Sequence, residues 1–219
     1  MPLAVAAATL DVDCSPPIRD PFAAAAVDIQ LELAQRLAIV AEYRDDATGA
    51  HAARVAATSA AIARELRLPE DSARLIELAA PLHDLGKVAI ADAILLKEGA
   101  LTDDERRTMQ QHTTTGARML HGSDLPVLQV AHTIALSHHE RWDGRGYPNG
   151  LHGPQIPLPA RIVAIADVFD ALTSDRPYKR AWKLADAVAE IRAQRGAHFD
   201  PVLADAFLRL DHHALLRVT

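Results

Sequence analysis

A chain of 219 residues with 49% apolar content can bury one sizeable core but not two, so a single main domain is expected. Its net charge of −6 excludes the broad positive field that a nucleic-acid polymer would need, and the single Cys14 excludes an intrachain disulfide and fits a reducing, cytoplasmic setting. No apolar run approaches the ~20 residues of a membrane span, and the absence of any basic residue before Arg19 makes the start a poor signal peptide.

Residues 1–21 mix small apolar residues with Pro16, Pro17 and Pro21 and read as a loose or locally ordered N-terminal extension. Everything from 22 to 219 reads as one domain. Over 22–44 the apolar Val27, Leu31, Leu37 and Val40 recur at helical spacing, which predicts a long first helix. Core packing, a homodimer contact and a stalk that transmits a signal are the roles open to it. Asp45-Asp46-Ala47-Thr48-Gly49 breaks the pattern, and Thr48 is placed to cap a helix running through His51, Arg54, Val55 and Ile62 to about Leu66. Pro69-Glu70 starts the next, which carries Leu75, Ile76, Leu78 and Leu82 into His83-Asp84, with Gly86 as its stop.

Thr102, three residues before Glu105, is a capping-box signal for a helix through Met109 and His112. Later, the apolar Ile134-Ala135-Leu136 ends at His138-His139, and a glycine-punctuated loop follows to Gly146-Tyr147-Pro148. Residues 149–160 continue as a Gly/Pro-rich loop. A buried helix is predicted over 160–172, a turn at 199–201, and amphipathic helices over 184–195 and 201–210. With aromatics at only 4%, abundant Ala and Leu and no strand pattern, the fold class expected is all-α.

The polar residues inside these apolar runs need partners. His138-His139 at the end of an apolar segment costs desolvation energy unless something binds the rings, and borderline transition metals favour imidazole. His83-Asp84 closes another apolar run. Neighbours on a helix point about 100° apart, so this pair can flank one ion while the carboxylate reaches a second. Asp167, inside RIVAIADVFDAL, is a carboxylate with no reason to be buried alone. The cationic turn Asp175-Arg176-Pro177-Tyr178-Lys179 directly follows that helix and suits a phosphate clamp. By themselves the single His51 and His112 read as structural, as do His121, His132, His152, His198, His212 and His213.

Three stretches, His83-Asp84-Leu85-Gly86-Lys87, the run from His138-His139-Glu140 to Tyr147-Pro148, and RIVAIADVFDALTSDRPYK over 161–179, together resemble the HD-GYP family of bacterial cyclic di-GMP phosphodiesterases. The resemblance extends over about residues 43–207. It implies a single HD-type helical bundle with a binuclear metal site in its core. One ion would take His51, His83, Asp84 and Asp167, the other His112, His138 and His139, with Asp84 bridging. Two divalent transition ions, Fe or Mn first and Zn, Ni or Co as further options, would hold a bridging hydroxide between them, as binuclear sites about 3.5–4 Å across do. Lys87 and Asp84 are then the catalytic residues, and Arg176 and Lys179 contact substrate phosphate. Tyr147 stacks on or hydrogen-bonds a guanine, and Asp170 orients a ligand or Arg176.

The activity implied is hydrolysis of cyclic di-GMP to pGpG, with further cutting to GMP as an extension. Two other readings stand beside it: an HD hydrolase of another nucleotide, and a non-catalytic module that binds cyclic di-GMP or a diguanylate cyclase. The partners implied are GGDEF-type cyclases or a separate sensor or receiver protein. Some family members carry a glutamate four residues before the first histidine ligand, recruiting a third ion. Here that position is Ala47, which predicts two ions, with Asp46, one residue earlier, as the candidate substitute.

Overall fold

The computed structural model describes residues 32, 35–40, 50–175 and 180–217. The 1–21 extension, most of the first helix, the Asp45–Gly49 break with its Thr48 cap, and Arg176 and Lys179 lie outside the described residues. Residues 35–40 are helical, as their spacing predicts, and Ala38 is buried among core residues.

Helix α1 spans Ala50–Glu65 and buries His51, Val55, Ser59 and Ile62 at helical spacing. Helix α2, Glu70–Ala79, begins directly after Pro69, with Glu70 and Asp71 in its first turn, where the helix dipole favours negative charge. It stops earlier than its apolar pattern predicts. Pro81 offers no N–H, and the chain tightens into a 3₁₀ turn over Ala80–Leu82 before presenting His83 and Asp84.

Gly86 is not the helix stop that its type suggests. It lies inside a second 3₁₀ segment, Leu85–Ala89, pressed against the helix that carries His112. A Cβ there would stand 1.9 Å from the His112 carbonyl oxygen and 2.5 Å from the Gly116 nitrogen, so the residue is fixed by close backbone approach.

After the short α3, Asp92–Leu95, helix α4 covers Asp103–Leu120 and opens with the expected capping box: the Glu105 amide donates to Thr102 Oγ1, and the Thr102 amide donates to the Glu105 carboxylate at 2.8 Å. Helix α5, Pro126–Ser137, delivers His138 and His139 at its C-terminal end. Helix α6, Leu158–Thr173, is apolar nearly all round and runs through the middle of the structure. Helices α7, Leu184–Ala193, α8, Pro201–Phe207, and α9, His212–Leu215, complete the described elements. The helix expected over 201–210 ends early, and Asp200 caps it by accepting from the Val202 amide at 2.8 Å.

Two cores flank α6. One gathers Ile62, Ile165, Phe169, Ile191, Leu203 and Phe207, and the other Val55, Leu82, Ile134, Val163 and Ala166. Each such side chain contributes about 1.5–3 kcal/mol by leaving water. Because α1 and α6 supply both cores, the polar residues they carry between the cores are held rigidly. Among the described residues there is no β-strand, only a bridge between Arg195 and Phe199, so the all-α expectation holds. No helix among them is long and apolar enough to cross a membrane.

Candidate metal centre

Seven of the expected ligand residues converge. His51, His83 and Asp167 form one donor group and Asp84, His112, His138 and His139 another, with the donor atoms of each group within 4.8 Å of one another. In the first, His51 Nε2 faces His83 Nε2 at 3.4 Å, and both face Asp167 Oδ1, at 3.6 and 4.0 Å. Asp84 joins the groups: its Oδ2 lies 3.2 Å from His83 Nε2, while its Oδ1 lies 3.3 Å from His112 Nε2 and 3.7 Å from His138 Nε2.

The orientation of the rings is fixed from behind. Nδ1 of His83, His112 and His138 donates to the carbonyls of Ala80, Met109 and Ile134, at 2.9, 2.8 and 3.0 Å, while His51 Nδ1 donates to Asp170 Oδ2 at 2.7 Å. A carbonyl only accepts, so each of those Nδ1 atoms carries the proton and each Nε2 presents a lone pair to the centre. Asp84 Oδ1, His112 Nε2 and His138 Nε2 are buried there without a hydrogen-bond partner. Buried lone pairs that face one another repel and cost desolvation energy, whereas a divalent cation satisfies them all. The residues therefore fit metal binding.

Electrostatics point the same way. Burial first, and the neighbouring His138 after it, push His112 down to about 4 and hold His139 well below the ordinary histidine range, which keeps both rings neutral. Burial also opposes charge on His83, but the facing Asp84 and Asp167 carboxylates carry it up to about 9, so a proton on its Nε2 takes the place that a cation would otherwise fill between them. Asp84 is desolvated too, yet Lys87 and His83 keep its carboxyl well below the usual range. A site this rich in negative and lone-pair character calls for positive charge.

Around the donors, Lys87 Nζ lies 2.7 Å from Asp84 Oδ2. Tyr147 stacks on His139, with ring centroids 4.8 Å apart and planes 27° from parallel, and burial followed by the nearby Asp84 and Asp167 pushes its hydroxyl pKa up, so it stays a neutral donor. The loop bearing Tyr147 folds back so tightly that a Cβ on Gly146 would stand 2.4 Å from the Arg141 nitrogen.

Three contributors escape the sequence reading. Buried Glu140 accepts the Asn149 and Leu151 amides, at 2.8 and 3.0 Å, and so ties the loop after the histidine pair to the metal centre. Arg54 and Ser174 both bond Asp170, which itself accepts from His51 Nδ1 at 2.7 Å. An arginine one turn after His51 and a glutamate directly after His139 were the available signals. His198 takes no part in either donor group; its carbonyl accepts from the Trp142 amide at 3.0 Å, which docks the loop onto the turn before α8.

Comparison with known proteins shows the family. A family model described as HD domain matches residues 36–203. The cyclic di-GMP phosphodiesterase response regulator RpfG of Xanthomonas campestris is 53% identical over 178 residues, which are 81% of this chain and 47% of that protein. The 3'3'-cGAMP-specific phosphodiesterase 2 of Vibrio cholerae is 48% identical over 177 residues, 81% of this chain and 34% of that protein. The chain thus spans half or less of the length of these relatives. Among solved structures, an HDG"Y"P protein from Bdellovibrio bacteriovorus superposes with a TM-score of 0.60 at 18% identity, covering 84% of this chain and 63% of that one.

Proposed function

The chain belongs to the HD-domain family, and from that premise we propose that it is a metal-dependent phosphodiesterase that hydrolyses cyclic di-GMP to pGpG, with further cutting to GMP as an extension. The observation that carries this reading is the single carboxylate of Asp84 shared between two histidine donor groups whose Nδ1 atoms are satisfied from behind. His51, His83 and Asp167 would hold one ion, His112, His138 and His139 the other, and Asp84 both. Two divalent ions, when bound, supply an activated water and neutralise phosphate charge. Mixed imidazole and carboxylate donors suit Fe or Mn, with Zn, Ni or Co able to substitute.

The chain's own groups do the rest. Lys87 fixes the Asp84 carboxylate and is the proton or hydrogen-bond donor for the leaving oxygen. Tyr147, held on His139, offers a ring face and a hydroxyl to a guanine. Arg176 and Lys179 are assigned to the non-reacting phosphate oxygens by their sequence position alone. A GGDEF-type cyclase, or a sensor or receiver protein, would supply the input signal.

The name of the Vibrio cholerae relative favours a second reading, in which the mixed cyclic dinucleotide 3'3'-cGAMP is the better substrate. The deciding experiment gives Mn- or Fe-loaded protein each of the two cyclic dinucleotides, with products separated by chromatography. Faster pGpG formation supports the first reading and faster cGAMP opening the second. Tight binding of either without turnover would make the domain a non-catalytic module.

A further inference from the structure

Three of the anchored ligand histidines, His83, His112 and His138, lean on backbone carbonyls that their own helical turns hold in place. His51 differs, because its Nδ1 leans on a side chain, the carboxylate of Asp170 on α6. A carboxylate rotates easily about its last torsion, so this support is only as firm as whatever fixes Asp170. That role falls to Arg54, one turn after His51 on α1. Its Nε donates to Asp170 Oδ1 at 2.5 Å and its Nη2 to Oδ2 at 3.1 Å, a two-point fork that sets the carboxylate plane. Nη2 also donates to Ser174 Oγ at 3.0 Å, and Ser174 Oγ donates to Asp170 Oδ2 at 3.3 Å. Asp170, with 5% of its side chain exposed, is thus gripped from two sides and has one direction left, toward His51.

We propose that Arg54 is a positioning residue for one of the two metals: through Asp170 it fixes the ring plane of His51 and so sets the affinity of the His51–His83–Asp167 donor group, leaving the group of His112, His138 and His139 untouched. The inference rests on the metal-binding reading above. It is specific because the bonds of Arg54 to Asp170 lead on to His51, while the other group is anchored on α4 and α5. A lysine cannot reproduce the fork, since its ammonium is a single point of charge.

The test titrates the metal-free protein with Mn²⁺, following heat of binding and the electron paramagnetic resonance spectrum. The unaltered chain is expected to bind a pair of spin-coupled ions. Arg54→Gln is expected to weaken one ion roughly 10–100-fold, as loss of a group that orients a ligand does, and to leave the other at its original affinity. At one equivalent the spectrum should then show a single uncoupled Mn²⁺, and Arg54→Lys should fall between the two. Should Arg54→Gln not fold, the near-isosteric Asp170→Asn is expected to give the same selective loss. Two ions bound at unchanged affinity in Arg54→Gln, or both weakened alike together with a lowered melting temperature of the metal-free protein, would overturn the positioning role. An unaltered chain that binds fewer than two ions would overturn the metal pairing and this inference with it.

Discussion

The ammonium of Lys87 lies 2.7 Å from one oxygen of Asp84, while the other oxygen of the same carboxylate faces His112 at 3.3 Å and His138 at 3.7 Å. With His83 Nε2 also 3.2 Å from the first oxygen, one side chain ties the candidate proton donor to both donor groups, and the two partners should fail differently. Asp84→Asn, which keeps the shape but loses the charge, should abolish cyclic di-GMP hydrolysis and weaken both ions by more than ~100-fold, beyond the loss of a group that merely orients a ligand. Lys87→Met should retain the metals and KM while kcat falls about 10²–10⁴-fold, the range for a lost general acid. Metal analysis beside steady-state kinetics separates the two, and metal loss in Lys87→Met would mean that the lysine is structural.

Glu140 offers a second separation. Its two carboxylate oxygens accept the Asn149 and Leu151 amides, so Glu140→Gln turns an NH₂ group toward one of those donors and leaves it unsatisfied, at about 1–3 kcal/mol. Because the loop between carries Tyr147, the variant should raise KM for cyclic di-GMP more than it lowers kcat, and should also lower the melting temperature. An unchanged KM would detach this loop from substrate binding.

Gly86 predicts a failure of packing. Gly86→Ala places a methyl 1.9 Å from the His112 carbonyl, backbone against backbone, with no flexible side chain able to move aside. Overpacking of this kind costs about 1–3 kcal/mol or more, and here it displaces the turn that holds Lys87 from the helix that holds His112. Thermal melts and metal titration should both show the loss. A variant with full stability and full metal content would contradict the close approach.

The half-buried His198, stacked on Phe199 with centroids 4.3 Å apart, is pushed down to about 4, first by desolvation and then by Arg141, against the opposing Asp143, Asp167 and Glu190. The unfolded chain therefore binds its proton near the ordinary value of about 6.5, and the folded chain only near 4. Between those values the unfolded state holds more protons, so the stability contributed by neutral His198 is complete above about 6.5 and is lost as pH falls toward 4. The whole swing is of order 3 kcal/mol at about 1.4 kcal/mol per pH unit. Chemical denaturation across this window should be steeper for the unaltered chain than for His198→Gln. Equal slopes would mean that the ring is hydrated.

How much of this is legible without coordinates depends on how far apart the partners lie in the chain. Asp167 and His138-His139 stand out because polar groups interrupt apolar runs, and Thr102 with Glu105 announces a helix start through contacts only three residues apart. The bond from His51 to Asp170 closes over 119 residues, so a lone histidine on α1 is indistinguishable from a structural one until α6 is laid beside it. Resemblance, not periodicity, identified it. Gly86 misleads for a related reason. A glycine after an apolar run satisfies the local rule for a helix stop, while the true constraint is the backbone of α4, about 26–30 residues later in the chain. Pro81 was the better local marker of where α2 ends, since it removes an N–H that the helix would have to use.

The last expectation concerns the number of ions. The described donors sort into two groups that meet at Asp84, with no third cluster of the same kind among the described residues. Four residues before His51, where a glutamate would bring a further carboxylate, the sequence has Ala47, whose methyl has nothing to donate. Anaerobically purified protein should therefore hold about two equivalents of Fe or Mn per chain, the stoichiometry of a binuclear hydrolase. Ala47→Glu should raise that number, because a carboxylate one turn from His51 is on the same helical face if the helix continues back to it. The neighbouring Asp46 is the competing source of a donor. Three tightly held equivalents in the unaltered chain, falling to two in Asp46→Ala, would show that this aspartate does the work of the missing glutamate and that the two-ion expectation is wrong.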